Sequence, residues 1–150
     1  MYHIIVRRRA RGVFDRLSRG DWEVVLEDLA EDVHHVFPGA HPLGGERYSR
    51  AAVARWFERL YRLFPNPRFE VRRVVSRGLP HSTWVAVEWV DHVTPALGEP
   101  YEQRGAHWIR IRWGKVTDLH AYLDTQLVAE ACRYMAAHGI DEAAADPIRD

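Results

Sequence analysis

The chain contains a single cysteine, Cys132, in 150 residues, so it has no internal disulfide and suits a reducing compartment. Cys132 lies in a helical pattern between Ala131 and Arg133, where burial is the expected fate rather than nucleophilic chemistry. Neither sign of charge is in surplus: 21 Lys and Arg balance 21 Asp and Glu. No overall field therefore draws the protein toward nucleic acid or an anionic membrane. Arg7, Arg8, Arg9 and Arg11 form a solvated helix face in this balance, not an RNA-binding arm. No apolar run approaches the roughly 20 residues of a membrane span. At the N-terminus the short run Ile4-Ile5-Val6 precedes the arginines, the reverse of a secretory signal, so a cytoplasmic protein is expected. There is no nucleophile motif and no cofactor motif. The nine histidines include no helical His-x-x-x-His pair, so neither metal nor cofactor is expected.

What is present is a clear change of period along one domain. Val6, Ala10, Val13, Phe14 and Leu17 recur at helical spacing and predict a first helix, stopped by Gly20. Asp21 is placed to cap a second helix, whose apolar face is Trp22, Val25, Leu26 and Leu29. Val33 to Phe37 reads as a short strand, followed by the turn-rich stretch from Pro38 to Gly45. Ser49 opens a third helix with Val53, Trp56, Phe57, Leu60 and Phe64 on one side, ended by Pro65. From Phe69 the period becomes two. Runs at 69–75, 83–93, 101–113 and 116–123 predict an antiparallel meander, its last turn at Gly114-Lys115. A closing helix from about Thr125 ends at Gly139. The remainder, 140–150, is rich in Ala and Asp and is expected to be a loosely held tail to a 1–139 domain. Helices followed by a meander give an α+β layout, with helices on one side of a curved sheet. On the strand from Gln103, the face carrying Gln103, Gly105, His107, Ile109 and Ile111 suits the concave interior.

Several pieces in order carry a resemblance: Arg19-Gly20-Asp21-Trp22, Leu29-Ala30-Glu31-Asp32-Val33, Phe37-Pro38-Gly39, Ala52-Val53 to Phe57, and Trp113-Gly114-Lys115-Val116 leading to Tyr122-Leu123-Asp124. Through them the chain resembles the SnoaL-like branch of the nuclear transport factor 2-like superfamily. The resemblance implies a cone: a strongly bent, mixed or antiparallel sheet wrapped by three N-terminal helices, with a short C-terminal helix. It also implies a small hydrophobic organic ligand, no cofactor, and a homodimer through the outer sheet face. The superfamily contains isomerases, cyclases, epoxide hydrolases and proteins that only bind, so fold alone does not name a reaction.

Residue by residue, the resemblance narrows the chemistry. Phe37 stands where ketosteroid isomerases carry their base, and Val13 where they carry an oxyanion tyrosine; His107 falls near their second oxyanion donor. Asp91 and Asp124 match the two carboxylates of limonene epoxide hydrolases, but Trp89 replaces the arginine between them. Asp124 matches the acid/base aspartate of SnoaL-like cyclases, which makes it the expected catalytic residue, with His107 and Asp91 beside it. Trp89, Tyr122, Gln103, His35, Phe37, His120 and Tyr101 are the expected pocket residues. Period-two alternation puts Asp118, His120, Tyr122 and Asp124 on one strand face. Asp124 also immediately precedes a helix, where an aspartate serves equally well as an N-cap. Three functions follow: an acid/base isomerase, cyclase or hydratase acting on a carbonyl-type substrate; a non-catalytic binding or dimerisation module; or an epoxide hydrolase using Asp91 and Asp124.

Overall fold

The computed structural model describes all 150 residues. Helix α1 spans Tyr2–Leu17, α2 Trp22–Asp28 and α3 Arg50–Leu63; α4, Thr125–Ala137, follows the last strand. Strands β1 (Leu29–Phe37), β2 (Gly45–Arg47), β3 (Phe69–Leu79), β4 (Ser82–Val93), β5 (Tyr101–Arg112) and β6 (Lys115–Leu123) make one six-stranded sheet ordered β2-β1-β6-β5-β4-β3. All neighbours are antiparallel except β1 and β6, so the sheet is mixed and stays open at both edges. This is the bent-sheet α+β cone.

The helices form where the apolar stripes predict them. In α3 the stripe Val53, Trp56 and Phe57 is buried, and the Ser49 hydroxyl caps the helix by accepting from the Ala52 amide at 3.2 Å. Asp21 precedes α2 without a side-chain cap bond. The β5–β6 hairpin turns on Trp113 and Gly114, both at positive φ (51° and 81°). That is the two-residue turn whose twist matches the flanking strands, and it lies one residue earlier than Gly114-Lys115.

Two strand features depart from the sequence reading. β1 begins at Leu29 instead of Val33, and its ladder to β6 slips between Leu29 and His34. Ala30, Glu31 and Asp32 are poor strand formers, so nothing local announces this start. β2 begins on Gly45, the last residue of the stretch read as turn, where the sequence reading placed no strand, and pairs His35 with Arg47.

The last residues do not hang loose. Residues Asp141–Ala144 form a short 3-10 turn with Ala143 buried. Arg47 and Arg59 donate to the carbonyls of Ile148 and Asp146 at 3.1 and 2.8 Å, and Arg62 pairs with Glu142 at 2.5 Å. The ties come from β2 and α3, which local composition cannot reveal.

Candidate functional site

Along β4 Thr83, Val85, Val87, Trp89, Asp91 and Val93 are buried in alternation, and Val90 is the one buried residue of the opposite parity. Register sets Val87 against His107, Trp89 against Gly105, Asp91 against Gln103 and Val93 against Tyr101. One ladder thus turns its large and polar side chains inward. Val13, Phe14 and Leu17 of α1 and Trp56, Phe57 and Phe64 from the α3 region close over it. They enclose a cavity of about 110 Å³. Its wall is almost wholly apolar, with Asp91, Gln103, His35, His107 and the hydroxyls of Tyr61 and Tyr101 as the exceptions.

Asp91 is the only carboxylate in this wall. It is 8 % exposed. Burial raises its pKa from 3.8 to about 6, against the opposing pull of the Arg68 amide, which donates to Oδ1 at 2.8 Å. Gln103, directly across the ladder, is buried, and its Oε1 has no hydrogen-bond partner. Burial raises the Tyr101 pKa, so its hydroxyl is a neutral donor. The Tyr61 hydroxyl is committed, donating to the Leu17 carbonyl at 2.6 Å.

The other end of the cavity is built from imidazoles. The Trp89 indole N–H donates to His107 Nδ1 at 2.8 Å. An indole nitrogen only donates, so Nδ1 carries no proton. Burial lowers the His107 pKa to about 4, which leaves a neutral ring with its proton on Nε2. His107 keeps some accessible surface because it faces the cavity. Arg47 Nε donates to His35 Nδ1 at 2.9 Å and fixes the same tautomer there. Burial first, and the Arg47 charge second, hold the His35 pKa well below 6.5. Two neutral imidazoles thus present Nε2–H donors. Arg47 itself is fully buried and has no carboxylate partner.

Trp89 separates the two ends. Its ring packs against Gly105, where a Cβ would come within 2.7 Å of Cη2. Only glycine permits that approach. Gln103 and His107 are four residues apart on one strand, which is roughly 13 Å of backbone. The carboxyl end and the imidazole end therefore address opposite ends of a ligand.

The structure separates residues that the sequence reading had grouped in one pocket. Asp91, Trp89, Gln103, His35, Phe37, Tyr101 and His107 line the cavity. Asp124 does not: it is exposed at the start of α4, and its carboxylate accepts the Gln126 amide at 3.0 Å. Of its two readings, the N-cap is the one the geometry supports. Tyr122 and His120 point to the other side of β6, Tyr122 being 60 % exposed. The inward residues of β6 are Leu119, Ala121 and Leu123. Parity had been anchored on Asp124, which lies past the strand's end; the three apolar residues carry the right parity. Arg47 and Tyr61 are the site residues that sequence reading missed.

A second cavity of about 310 Å³ lies beside the first, sharing Val13, Phe14, Val25, Ile109 and Leu119. Its charged residues, Arg9 and Asp28, are ion-paired with each other, so it offers no acid or base.

The family model for the SnoaL-like domain matches residues 10–119. No curated protein sequence matches. Among solved structures, an NTF2-like protein of unknown function from Burkholderia pseudomallei shares 20% identity, covering 83% of this chain and 94% of its own, with a TM-score of 0.73. A candidate polyketide cyclase from Xanthomonas campestris pv. campestris shares 28%, covering 81% and 94%, with a TM-score of 0.61. TerC, co-crystallised with polyporic acid, shares 22%, covering 79% and 91%, with a TM-score of 0.68.

Proposed function

The chain belongs to the SnoaL-like domain family, and from that premise we propose that it binds an elongated, hydrophobic carbonyl compound and moves a proton on it with Asp91. One observation carries this reading: a buried carboxyl titrating at about 6 faces an otherwise apolar cavity. A base works best when its pKa lies near the operating pH. At neutral pH Asp91 is mostly ionised yet poorly solvated. It accepts a proton from the carbon beside a substrate carbonyl, and the electron pair of that C–H bond moves to form an enolate. The Tyr101 hydroxyl and the Gln103 amide, in the same cavity wall, donate to the enolate oxygen. The protonated Asp91 then returns its proton to a different carbon, completing an isomerisation. In a cyclisation the enolate carbon instead bonds to a second carbonyl carbon of the ligand, whose oxygen takes the electron pair and the Asp91 proton. His107 and His35, at the far end, donate from Nε2 to a distal oxygen of the same ligand. The cyclase-like relative and the TerC complex with polyporic acid support this substrate class.

Polyporic acid, which has no hydrogen on the carbons beside its carbonyls, is a probe of binding alone, and cyclic ketones that carry such a hydrogen are probes of the proton transfer. Wild-type protein is expected to catalyse exchange of the hydrogen beside a bound ketone's carbonyl for solvent deuterium, read by mass spectrometry. Asp91→Asn should slow that exchange by about 10²-fold or more. Binding without exchange in the wild type would favour the non-catalytic module. Exchange that survives in Asp91→Asn would remove Asp91 from the mechanism. Epoxide hydrolysis with paired carboxylates has less support, because Asp91 lines the cavity and Asp124 does not.

The homodimer belongs to the same proposal. The outer side of β5 and β6 exposes Trp108, at 44 %, and Tyr122, with Trp113 at 76 % on the hairpin between them. Trp84 packs on Trp108 with ring centroids 5.6 Å apart. Light scattering is expected to give twice the chain mass, and Trp108→Arg to give the monomer; a monomeric wild type would refute this.

A further inference from the structure

His34 on β1 and Asp118 and His120 on β6 lie on the outer side of the sheet, away from the cavity. Register pairs His34 with Asp118 and Val36 with His120 across the sheet's parallel junction. His34 Nδ1 and His120 Nε2 are 3.2 Å apart, and Asp118 Oδ1 is 3.9 and 4.0 Å from them. All three side chains are half-buried, within reach of one another and of solvent.

We propose that His34 Nδ1, His120 Nε2 and Asp118 Oδ1 bind a divalent transition metal, with zinc the best match, as a clip across β1 and β6. Zinc held at 2.0–2.1 Å by tetrahedral donors separates those donors by about 3.3 Å. The two imidazole nitrogens already stand at that spacing. A small rotation of Asp118 closes the other two edges. Octahedral magnesium prefers oxygen donors and tighter edges, so two imidazoles argue against it.

The surroundings orient the ligands as outer shells of metal sites do. His34 Nε2 meets Glu46 Oε2 at 2.9 Å. A carboxylate accepts, so the His34 proton sits on Nε2 and the lone pair on Nδ1 faces the cluster. Glu46 is held in turn by the Tyr48 hydroxyl at 2.6 Å, and the Tyr48 ring stacks on His34 with centroids 4.7 Å apart. Thr117 donates to Asp118 Oδ2 at 2.8 Å, which leaves Oδ1 for the metal. Three protein ligands leave the fourth tetrahedral position to water. No helical histidine pair announces this site, because its ligands come from adjacent strands.

The test uses the untagged full chain, freed of metal and titrated with Zn²⁺ against a chromophoric chelator. One equivalent should bind, and Co²⁺ in its place should show the intense visible bands of tetrahedral coordination. His120→Ala and Asp118→Asn should each weaken binding at least 10-fold. Glu46→Gln, which touches no metal, should weaken it about 10-fold or more. His81→Ala, at a distant exposed histidine, should bind as wild type. Metal-free circular dichroism should be unchanged in His120→Ala. If that variant loses fold, His120→Gln carries the comparison. Binding unchanged in His120→Ala or His120→Gln, binding weakened equally by His81→Ala, or no saturable single equivalent would each overturn the proposal.

Discussion

Arg47→Met is expected to lower the melting temperature by about 10 °C. Arg47 is fully buried and donates to His35 Nδ1 at 2.9 Å and to the carbonyls of Gly44, Gly45 and Ile148 at 3.3, 2.7 and 3.1 Å. Burial lowers its own pKa to about 10, leaving it charged at any physiological pH. Methionine removes a costly buried charge but leaves those acceptors behind. Each fully buried acceptor without a donor costs about 1–3 kcal/mol. His35 Nδ1 and the Gly44 carbonyl are the two least open to water. The desolvation regained from the lost charge offsets part of this, so a net loss of about 3 kcal/mol is expected. In a domain of this size that is roughly 10 °C. Thermal melting followed by circular dichroism measures it. A fall of less than about 2 °C would show that Arg47 is replaceable and that the strand–tail junction does not depend on it.

The second large effect runs the other way. Asp91→Asn should make the protein more stable at pH 8 while removing its proton transfer. Asp91 titrates at about 6 when folded against 3.8 ordinarily, so the folded chain holds a proton that the unfolded chain releases. Where the folded state binds more protons, stability falls as pH rises. Below about pH 4 both states are protonated and the group is neutral to stability. Between about 4 and 6 stability is lost progressively, reaching roughly 3 kcal/mol above that window at 1.36 kcal/mol per unit. Asparagine has no such titration. Its Oδ1 can still accept the Arg68 amide, and its amide can donate toward the unpartnered Gln103 Oε1. Urea unfolding should therefore show little difference between variant and wild type at pH 4, and a gain of about 2–3 kcal/mol for the variant at pH 8. A variant less stable than wild type at pH 8 would mean that the Asp91 charge is well satisfied. A residue whose removal stabilises the fold is one kept for another purpose.

How much of this was legible depended on whether the signal was local. The helices and the meander show themselves because Val53, Trp56 and Phe57 repeat at one period and Val85, Val87 and Trp89 at another. β5 was assigned the correct face, which placed Gln103 and His107 inward, because its alternation is unbroken from Gln103 to Ile111. β6 was assigned the wrong face, because the parity was counted from Asp124 and not from Leu119, Ala121 and Leu123. Residue matching to relatives drew attention to Asp124, whose environment is a helix start open to solvent. Asp91 carried the weaker match and has the buried setting. Arg47 was invisible for a different reason. A lone arginine in a Gly-rich stretch reads as surface, and its partners lie on β1 and near the C-terminus, 12 and 101 residues away in sequence.

The account turns on the ionisation of one carboxyl group. Carbon-detected NMR of the aspartate side chains, with Asp91 assigned by comparison with Asp91→Asn, follows that group through a pH titration without any ligand. A midpoint at about 6 is the predicted result. A midpoint near 4 would place Asp91 in an ordinary solvated setting and contradict its role as the base of this cavity.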